Sequence, residues 1–245
     1  MWTIIHKMGS PPWFFGFSGV LVRWLLPITI SLLVVGAFWG LLVAPPDFRQ
    51  GNSYRIIYIH VPAAVVALAG YYVMALAGAV SLIWRIKMAD ITMRAAAPVG
   101  AVLTAIALVT GAIWGKPTWG AWWVWDARIT SMLILFFLYL GVVALFEAYE
   151  NKTAAARACA VLSLVGTVNI PIIYKSVDWW YSLHQPASIK FTGESAIDSS
   201  MLYPLLLMIL AFYCLFAVTV LLNMRAELLW AHRESSWLKQ LAGGA

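Results

Sequence analysis

The sequence predicts an all-α membrane protein with about six transmembrane helices, and three observations support this prediction. Hydrophobic residues make up 63% of the 245 residues and charged residues only 11%, whereas soluble domains are about half apolar and about a quarter charged. Six apolar stretches are close to the roughly 20 residues that cross a bilayer. No Asp, Glu, Lys, Arg or His lies inside them. We expect one polytopic membrane domain over residues 1–245.

The predicted spans follow the apolar stretches along the chain. The fifth is the shortest, and it carries Asn169 and Pro171 near its outer end. Before the first span the chain has Lys7 and Arg23 but no convincing cleavage site follows, so we expect a retained N-terminus with the first span as anchor. The six spans cover residues 24–44, 61–84, 95–114, 129–146, 158–174 and 202–224.

The distribution of basic residues predicts the orientation. With the N-terminus inside, ten Lys and Arg residues fall in the segments on the cytoplasmic side and six in the outer loops, which favours cytoplasmic termini. The net charge of +6 then reflects orientation and anionic lipid rather than nucleic acid. The chain is predicted to be a multi-pass protein of the bacterial inner membrane. Its outer loops would be residues 45–60, 115–128 and 175–201.

The two cysteines, Cys159 and Cys214, fall in different predicted spans and are not expected to form a disulfide. The sequence contains no C-x-x-C pair for a metal or redox site. It also lacks C-x-x-C-H, the motif through which c-type cytochromes attach haem. Covalent attachment of haem to this chain by that motif is therefore excluded.

The second outer loop carries the most informative pattern, because five tryptophans occur between Trp114 and Trp125. Tryptophan is common at membrane interfaces, but an aromatic belt explains one or two residues per helix end. The alternative is a flat platform of indole faces for a large planar ligand. Arg128 could bind a carboxylate of that ligand, and Asp126 could hold either Arg128 or the loop backbone. Gly120 would permit a tight turn or close approach of the ligand.

This loop resembles the tryptophan-rich "WWD" motif of haem-handling proteins, and its surroundings resemble the haem exporter protein C family of cytochrome c maturation. The likeness runs from about Ala44 to His184 and is weaker at both ends. Ile129 stands where leucine is common, which is a conservative difference. The motif consists of Trp119, Gly120, Trp123, Trp125, Asp126, Arg128, Ile129 and Thr130. The supporting segments are residues 52–64, 107–111, 114–117 and 181–185.

Two histidines flank this loop on the same predicted face of the membrane. His60 precedes Val61-Pro62, and a proline in a first helical turn would place it at the outer mouth of the second span. His184 would share a face with Trp180 if residues 178–183 formed a short helix. Two neutral imidazoles are an axial pair for haem iron, and the resemblance implies that role for both. The sequence does not show what each second ring nitrogen contacts.

The haem propionates would be neutralised by basic residues of the outer loops. Arg128 and Arg55 are the candidates, and Lys116 and Lys175 are reserves. For the two lysines, ordinary solvated loop charge is the competing interpretation.

The resemblance implies a carrier rather than a conventional enzyme. It would bind haem b non-covalently at the outer face and pass it to a membrane-anchored periplasmic haem chaperone. Its other partners would be a small single-span accessory subunit and the ABC transporter subunits of the cytochrome c maturation system. Three alternatives remain open at this point: a transmembrane transporter of haem or another solute, an outer-face enzyme acting on a lipid-linked phosphate, and a b-type electron carrier.

Overall fold

A computed structural model describes residues 10–184 and 197–238 of the chain. Apart from an isolated bridge between Asp47 and Gly51, these residues contain no β-structure. A π-helical turn, Trp39–Val43, continues the first helix, and a 3₁₀ turn, Asn52–Ile56, leads into the second. The α-helices are α1 (Pro11–Phe38), α2 (Ile57–Trp84), α3 (Lys87–Trp119), α4 (Ala127–Ala148), α5 (Lys152–Gly166), α6 (Asn169–Trp179) and α7 (Ser199–Ala231).

The predicted all-α architecture with six membrane spans is confirmed for the described residues. Six segments are long and apolar enough to cross a bilayer, with α5 and α6 together forming the fifth. They are Pro11–Val43, Asn52–Trp84, Lys87–Trp119, Ala127–Ala148, Lys152–Trp179 and Ser199–Ala231.

Helix α2 lies at the centre of the bundle, where it packs against α3, α5 and α7. Close packing depends on small residues opposite large ones. Tyr139 of α4 is fully buried, and its hydroxyl donates to the carbonyl of Ala67 at 2.7 Å. A side chain at Gly100 would come within 2.1 Å of the Tyr139 ring. Helix α1 packs mainly against α7 and exposes an apolar face, as expected for lipid contact.

The helices extend beyond the spans predicted from the sequence. Helix α1 begins at Pro11, not near Trp24, and α3 continues through Lys116 and Pro117 to Trp119. Hydropathy marks the part of a helix that lies in hydrocarbon, whereas the backbone hydrogen bonds of the helix continue into polar sequence. The second outer loop is therefore short, covering residues 120–126.

The fifth span is broken near its outer end. Helix α5 ends at Gly166 and α6 begins at Asn169, whose side-chain amide donates to the carbonyl of Ser131 at 2.9 Å. The short helix over residues 178–183 that would have put Trp180 and His184 on one face does not form, and α6 ends at Trp179. Trp180 has extended backbone angles, φ −131° and ψ 156°. Trp180 and His184 therefore do not share a helix face.

Candidate ligand-binding site at one end of the bundle

The candidate residues gather at one end of the bundle, which we call the site end. It is the end at which α3 finishes at Trp119, α4 starts at Ala127 and α6 finishes at Trp179. His60 lies there because it is the fourth residue of α2. Pro62 was expected in the first turn after His60, but the 3₁₀ turn starts the helical path earlier, and Pro62 lies inside α2.

The His60 ring is oriented by helix α3. Its Nδ1 lies 3.1 Å from the Thr110 hydroxyl, and its ring meets the Trp114 ring edge-on, with 5.7 Å between centroids. A Cβ at Gly111 would lie 3.0 Å from Cε1 of His60, so the glycine lets the imidazole lie close against α3. The ring is thus fixed by contacts with one turn of a neighbouring helix.

The hydroxyl of Thr110 also indicates which nitrogen of His60 carries the proton. Its Oγ lies 2.6 Å from the carbonyl oxygen of Ile106, so the single hydroxyl proton is donated there. The hydroxyl oxygen then accepts from Nδ1–H of His60. The carbonyl of Ala107, three residues before Thr110 on the same helix, also accepts from this ring. With Nδ1 as the protonated nitrogen, Nε2 keeps its lone pair.

His184 is held by the motif loop and by the end of helix α3. Its Nδ1 lies 3.3 Å from Oδ2 of Asp126, and its backbone N–H donates to the Ser182 hydroxyl at 3.1 Å. The Trp119 and His184 ring centroids are 4.7 Å apart. Burial lowers the pKa of His184 below its usual 6.5, although Asp126 acts in the opposite direction. The imidazole is therefore neutral at pH 7, as a metal ligand must be.

Asp126 connects helix α4 to His184. One oxygen caps α4 by accepting from the N–H of Ile129 at 2.8 Å, and the other accepts from the Ser182 hydroxyl and from His184. Burial raises the pKa of Asp126, but the hydrogen bonds from Ile129, Ser182 and His184 lower it by more than burial raises it. The net pKa lies below the usual 3.8. Two partners were predicted for Asp126, namely Arg128 and the loop backbone. Its carboxylate accepts from the backbone N–H of Ile129 and makes no hydrogen bond with Arg128 within the described residues.

Each of the two arginines is anchored by one side-chain acceptor and one backbone carbonyl. Arg128 donates from Nε to the Ser176 hydroxyl and from Nη2 to the carbonyl of Tyr174, each at 3.2 Å. Arg55 donates to the Asn52 side chain at 3.1 Å and to the carbonyl of Leu41. One terminal nitrogen of each guanidinium, Nη1 of Arg128 and Nη2 of Arg55, makes no hydrogen bond within the described residues.

The two reserve lysines have partners of their own. Lys116 donates to the carbonyl of Gly120 at 3.1 Å, and Lys175 pairs with Asp178 at 3.0 Å. Gly120 closes the end of α3 with a left-handed φ of +79°, and its N–H donates to the carbonyl of Lys116. The glycine is thus required for the turn, because other residues rarely adopt this φ.

The motif tryptophans are not coplanar, which departs from the flat platform expected from the sequence. The Trp123 and Trp125 rings have centroids 5.4 Å apart and planes 73° apart. Trp122 and Trp125 are 58% and 73% exposed, so their faces are available to a ligand or partner. The indole N–H of Trp123 is buried and has no partner among the described residues. The loop therefore offers separate indole faces and edges.

Sequence reasoning missed the residues that support these groups. Trp114 donates its indole N–H to the Gln50 side chain at 2.6 Å while it packs on His60. Thr110 is four residues before Trp114, one helical turn away, and the segment 107–111 had been noted only for its resemblance. That helical spacing was the available signal. Ser182 lies in the segment 181–185, which had likewise been noted only for its resemblance. Nothing in the sequence indicated Gln50.

The two histidines belong to one site. Helix α3 contacts both, since Trp114 packs on His60 and Trp119 packs on His184. The described residues contain no cluster of three or more His, Cys, Asp or Glu suited to a bare metal ion. The arrangement instead offers two neutral imidazoles beside aromatic surface and guanidinium groups.

Comparison with known proteins shows the family to which the chain is similar. The family model described as Heme exporter protein C matches residues 4–239. The relative of that name from Escherichia coli strain K12 is 46% identical over 241 residues, which cover 98% of this chain and 97% of the relative. The Haemophilus influenzae relative is 46% identical over 242 residues, 99% and 98% of the two chains.

A third relative gives the same result. The relative from Bradyrhizobium diazoefficiens, with the same name, is 47% identical over 222 residues, covering 91% of this chain and 84% of the relative. The chain has six segments that can span a membrane, and it is similar to these proteins over nearly its whole length. It is therefore a multi-pass protein of the bacterial inner membrane. The chain belongs to the Heme exporter protein C family.

Proposed function

We propose that this protein acts in haem export for c-type cytochrome biogenesis, binding haem at the outer face of the inner membrane and delivering it to a periplasmic haem chaperone. The family and the names of its relatives support the general role. The observation that carries the specific role is the pair His60 and His184. Each has Nδ1 engaged by a neighbour, so that Nε2 keeps its lone pair.

The residues of the site suit haem as cargo. Iron in haem takes axial ligands from neutral imidazole nitrogens, which His60 and His184 present. The porphyrin is large, planar and apolar. Trp119 packs on His184, and Trp123 and Trp125 in the adjoining loop offer further indole edges and faces. The exposed Trp122 extends this aromatic surface. Haem b held in this way is bound without a covalent bond and can be released.

The propionates would be met by the arginines. Arg128 and Arg55 each keep one terminal nitrogen free among the described residues while their other nitrogens are fixed to neighbouring groups. A guanidinium held in this way loses little further entropy when it binds a carboxylate. Lys116 and Lys175 serve less well, because each already has a partner.

The proposed orientation of the protein in the membrane follows from the distribution of its basic residues. Ten Lys and Arg residues lie in the segments assigned to the cytoplasm and six outside, so both termini would be cytoplasmic and the site end periplasmic. There the haem would be accessible to a membrane-anchored periplasmic chaperone. A small single-span subunit and the ABC transporter subunits of the maturation system complete the proposed assembly.

A route for haem through the bundle has less support. Transporters usually place ionisable groups within their spans, and the apolar stretches here have none. Two polar residues of the spans are satisfied inside the bundle: Asn169 donates to Ser131, and the Thr104 hydroxyl donates to the carbonyl of Gly100 at 2.7 Å. An enzyme acting on a lipid-linked phosphate would leave the two histidines without a role.

An absorption spectrum of the full-length protein, purified in detergent with its bound haem, tests the proposal. We expect a Soret band that is lost or shifted in His60→Ala and in His184→Ala. His232→Ala is the matched control, because His232 lies at the opposite end of the bundle, where Nδ1 is 3.3 Å from the carbonyl of Leu228. Loaded wild-type protein should then transfer haem to the purified chaperone.

Two outcomes would contradict the proposal. One is the absence of a Soret band in the wild type even after haem is added. The other is an unchanged spectrum and normal chaperone loading in the double variant His60→Ala, His184→Ala. Bound haem without transfer would favour a b-type electron carrier.

A further inference from the structure

We propose that the two histidines are unequal iron ligands, with His184 made the stronger donor by the carboxylate of Asp126 and His60 left the weaker donor by the neutral hydroxyl of Thr110. The inequality would make Asp126 and Thr110 positioning residues that favour ferric over ferrous haem to different degrees. This inference rests on the proposed function, since it concerns haem held by the same pair.

The His184 side has a charged acceptor. Oδ2 of Asp126 lies 3.3 Å from Nδ1 of His184 and also accepts from the Ser182 hydroxyl. The other carboxylate oxygen caps helix α4 through Ile129. A carboxylate that accepts a proton from the second nitrogen of an imidazole fixes its tautomer and raises its basicity as a ligand. Nε2 of His184 therefore gains electron density.

The His60 side has a neutral acceptor. The hydroxyl oxygen of Thr110 accepts from Nδ1 of His60 at 3.1 Å, while its proton is donated to the carbonyl of Ile106. A hydrogen bond to an ionised acceptor is roughly twice as strong as one between neutral groups. Nε2 of His60 is therefore presented in the same tautomer as Nε2 of His184 but with less added electron density.

The difference is built into the helices rather than into flexible side chains. Asp126 is the N-cap of α4, and its side chain is only 6% exposed. Thr110 lies within α3, one residue before Gly111, against which the His60 ring packs. Neither acceptor can turn away from its histidine without losing its hydrogen bond to α4 or α3.

The consequence concerns the oxidation state of bound haem. Ferric iron carries one more positive charge than ferrous iron, so a stronger axial donor stabilises the ferric form more. Hydrogen bonding behind an axial ligand is one of the means by which a protein tunes haem. Removing the charge of Asp126 should therefore raise the reduction potential, and removing the hydroxyl of Thr110 should raise it by less.

Redox titration of the haem-loaded full-length protein, followed by absorption, tests this inference. Asp126→Asn is the principal variant, because asparagine is also a good helix N-cap and removes only the charge. Thr110→Val removes the hydroxyl at nearly constant shape, and Thr110→Ser restores it. We expect a large positive shift for Asp126→Asn, a smaller positive shift for Thr110→Val and the wild-type potential for Thr110→Ser.

The inference would be overturned if the reduction potential of Asp126→Asn equalled that of the wild type. It would also be overturned if Thr110→Val shifted the potential more than Asp126→Asn does. If Asp126→Asn does not retain haem, the two Thr110 variants provide the test. Equal reduction potentials in Thr110→Val and Thr110→Ser would overturn the inference. These outcomes all require a wild type that binds haem through two histidines. Failure of the proposed function would instead appear as a wild type without that spectrum.

Discussion

At the end of the bundle opposite the site, charged side chains neutralise one another between helices. Arg94 of α3 reaches Glu147 of α4 at 2.9 Å and Glu227 of α7 at 3.2 Å. At the site end, Arg128 instead donates to a hydroxyl and a backbone carbonyl, and one of its terminal nitrogens makes no hydrogen bond within the described residues.

Aromatic residues differ in what they do at the two ends. Near the opposite end the Arg225 guanidinium stacks 3.9 Å above the Phe15 ring and binds the α1 backbone, which joins α7 to α1. At the site end Trp114 and Trp119 pack on the two imidazoles. One end uses charge and aromatic surface to hold helices together, whereas the other keeps part of both available for a ligand.

The largest effect should come from breaking the charge cluster opposite the site. Arg94→Ala leaves Glu147 and Glu227 without their cation, and we expect a loss of about 2 kcal/mol in unfolding free energy, between the values for exposed and buried pairs. Haem content per folded protein should not change. Thermal unfolding in detergent and the Soret absorbance measure the two quantities. A comparable loss of haem in the folded fraction would contradict the division between the two ends.

Removing an exposed tryptophan from the site end should affect haem and not stability. Trp125→Ala deletes a ring that is 73% exposed, and we expect haem affinity to fall about tenfold, which corresponds to about 1.4 kcal/mol. Trp84→Ala, at the opposite end with 55% exposure, is the matched control. Haem titration of both variants provides the comparison. Equal affinities would show that the motif tryptophan serves only as an interface anchor.

A smaller effect should follow from loosening the support of His60. Gln50→Leu removes the acceptor of the Trp114 indole N–H, which lies 2.6 Å away. We expect about fivefold weaker haem binding, equivalent to about 1 kcal/mol for one hydrogen bond. Gln50→Glu keeps an oxygen acceptor and should bind more tightly than Gln50→Leu. If the two variants bind haem equally, Gln50 does not act through Trp114.

The smallest effect concerns Asp198, a charge at the site end whose side-chain hydrogen bonds, within the described residues, stay inside its own helix. Asp198 caps α7 by accepting from the N–H and hydroxyl of Ser200, and these hydrogen bonds lower its pKa below the usual 3.8. Its contribution to stability is therefore complete above pH 3.8 and is lost as the pH falls through the lower folded value.

Melting temperatures of wild type and Asp198→Asn at several pH values test this linkage. Asparagine also caps helices but does not titrate in this range. We expect any advantage of the wild type at neutral pH to disappear in acid, while haem binding at neutral pH is the same in both proteins. A difference that stays constant through the acid range would contradict the role assigned to the carboxylate.

The number of spans could be predicted from the sequence, but the break in the fifth could not be placed. Pro171 correctly marked the region, because it has no N–H to donate to the carbonyl of Thr167. In the structure Ile170 donates to that carbonyl at 3.1 Å, and α6 begins again at Asn169. The proline thus sits in a first turn. Thr167 and Val168, where the helix breaks, carry no such signal.

For the candidate site, the sequence pattern predicted the histidines and the motif residues but not the atoms that orient them. The motif placed Asp126 beside Arg128 in sequence, yet the hydrogen bonds of Asp126 reach His184, 58 residues away. That contact depends on where the chain after α6 returns to the bundle. The contact of Thr110 with His60 depends on the rotation of α3 against α2, which hydropathy does not fix.

The length of the helices determines the height of the site relative to the lipid. Helices α3 and α7 have 33 residues each, or roughly 50 Å at 1.5 Å per residue, whereas the hydrocarbon core is about 30 Å thick. His60 stands 24 residues from Trp84 along α2, roughly 36 Å along the axis. With α2 close to the membrane normal, this length puts the His60 imidazole at headgroup level, where a flat amphiphile can arrive sideways along the membrane surface.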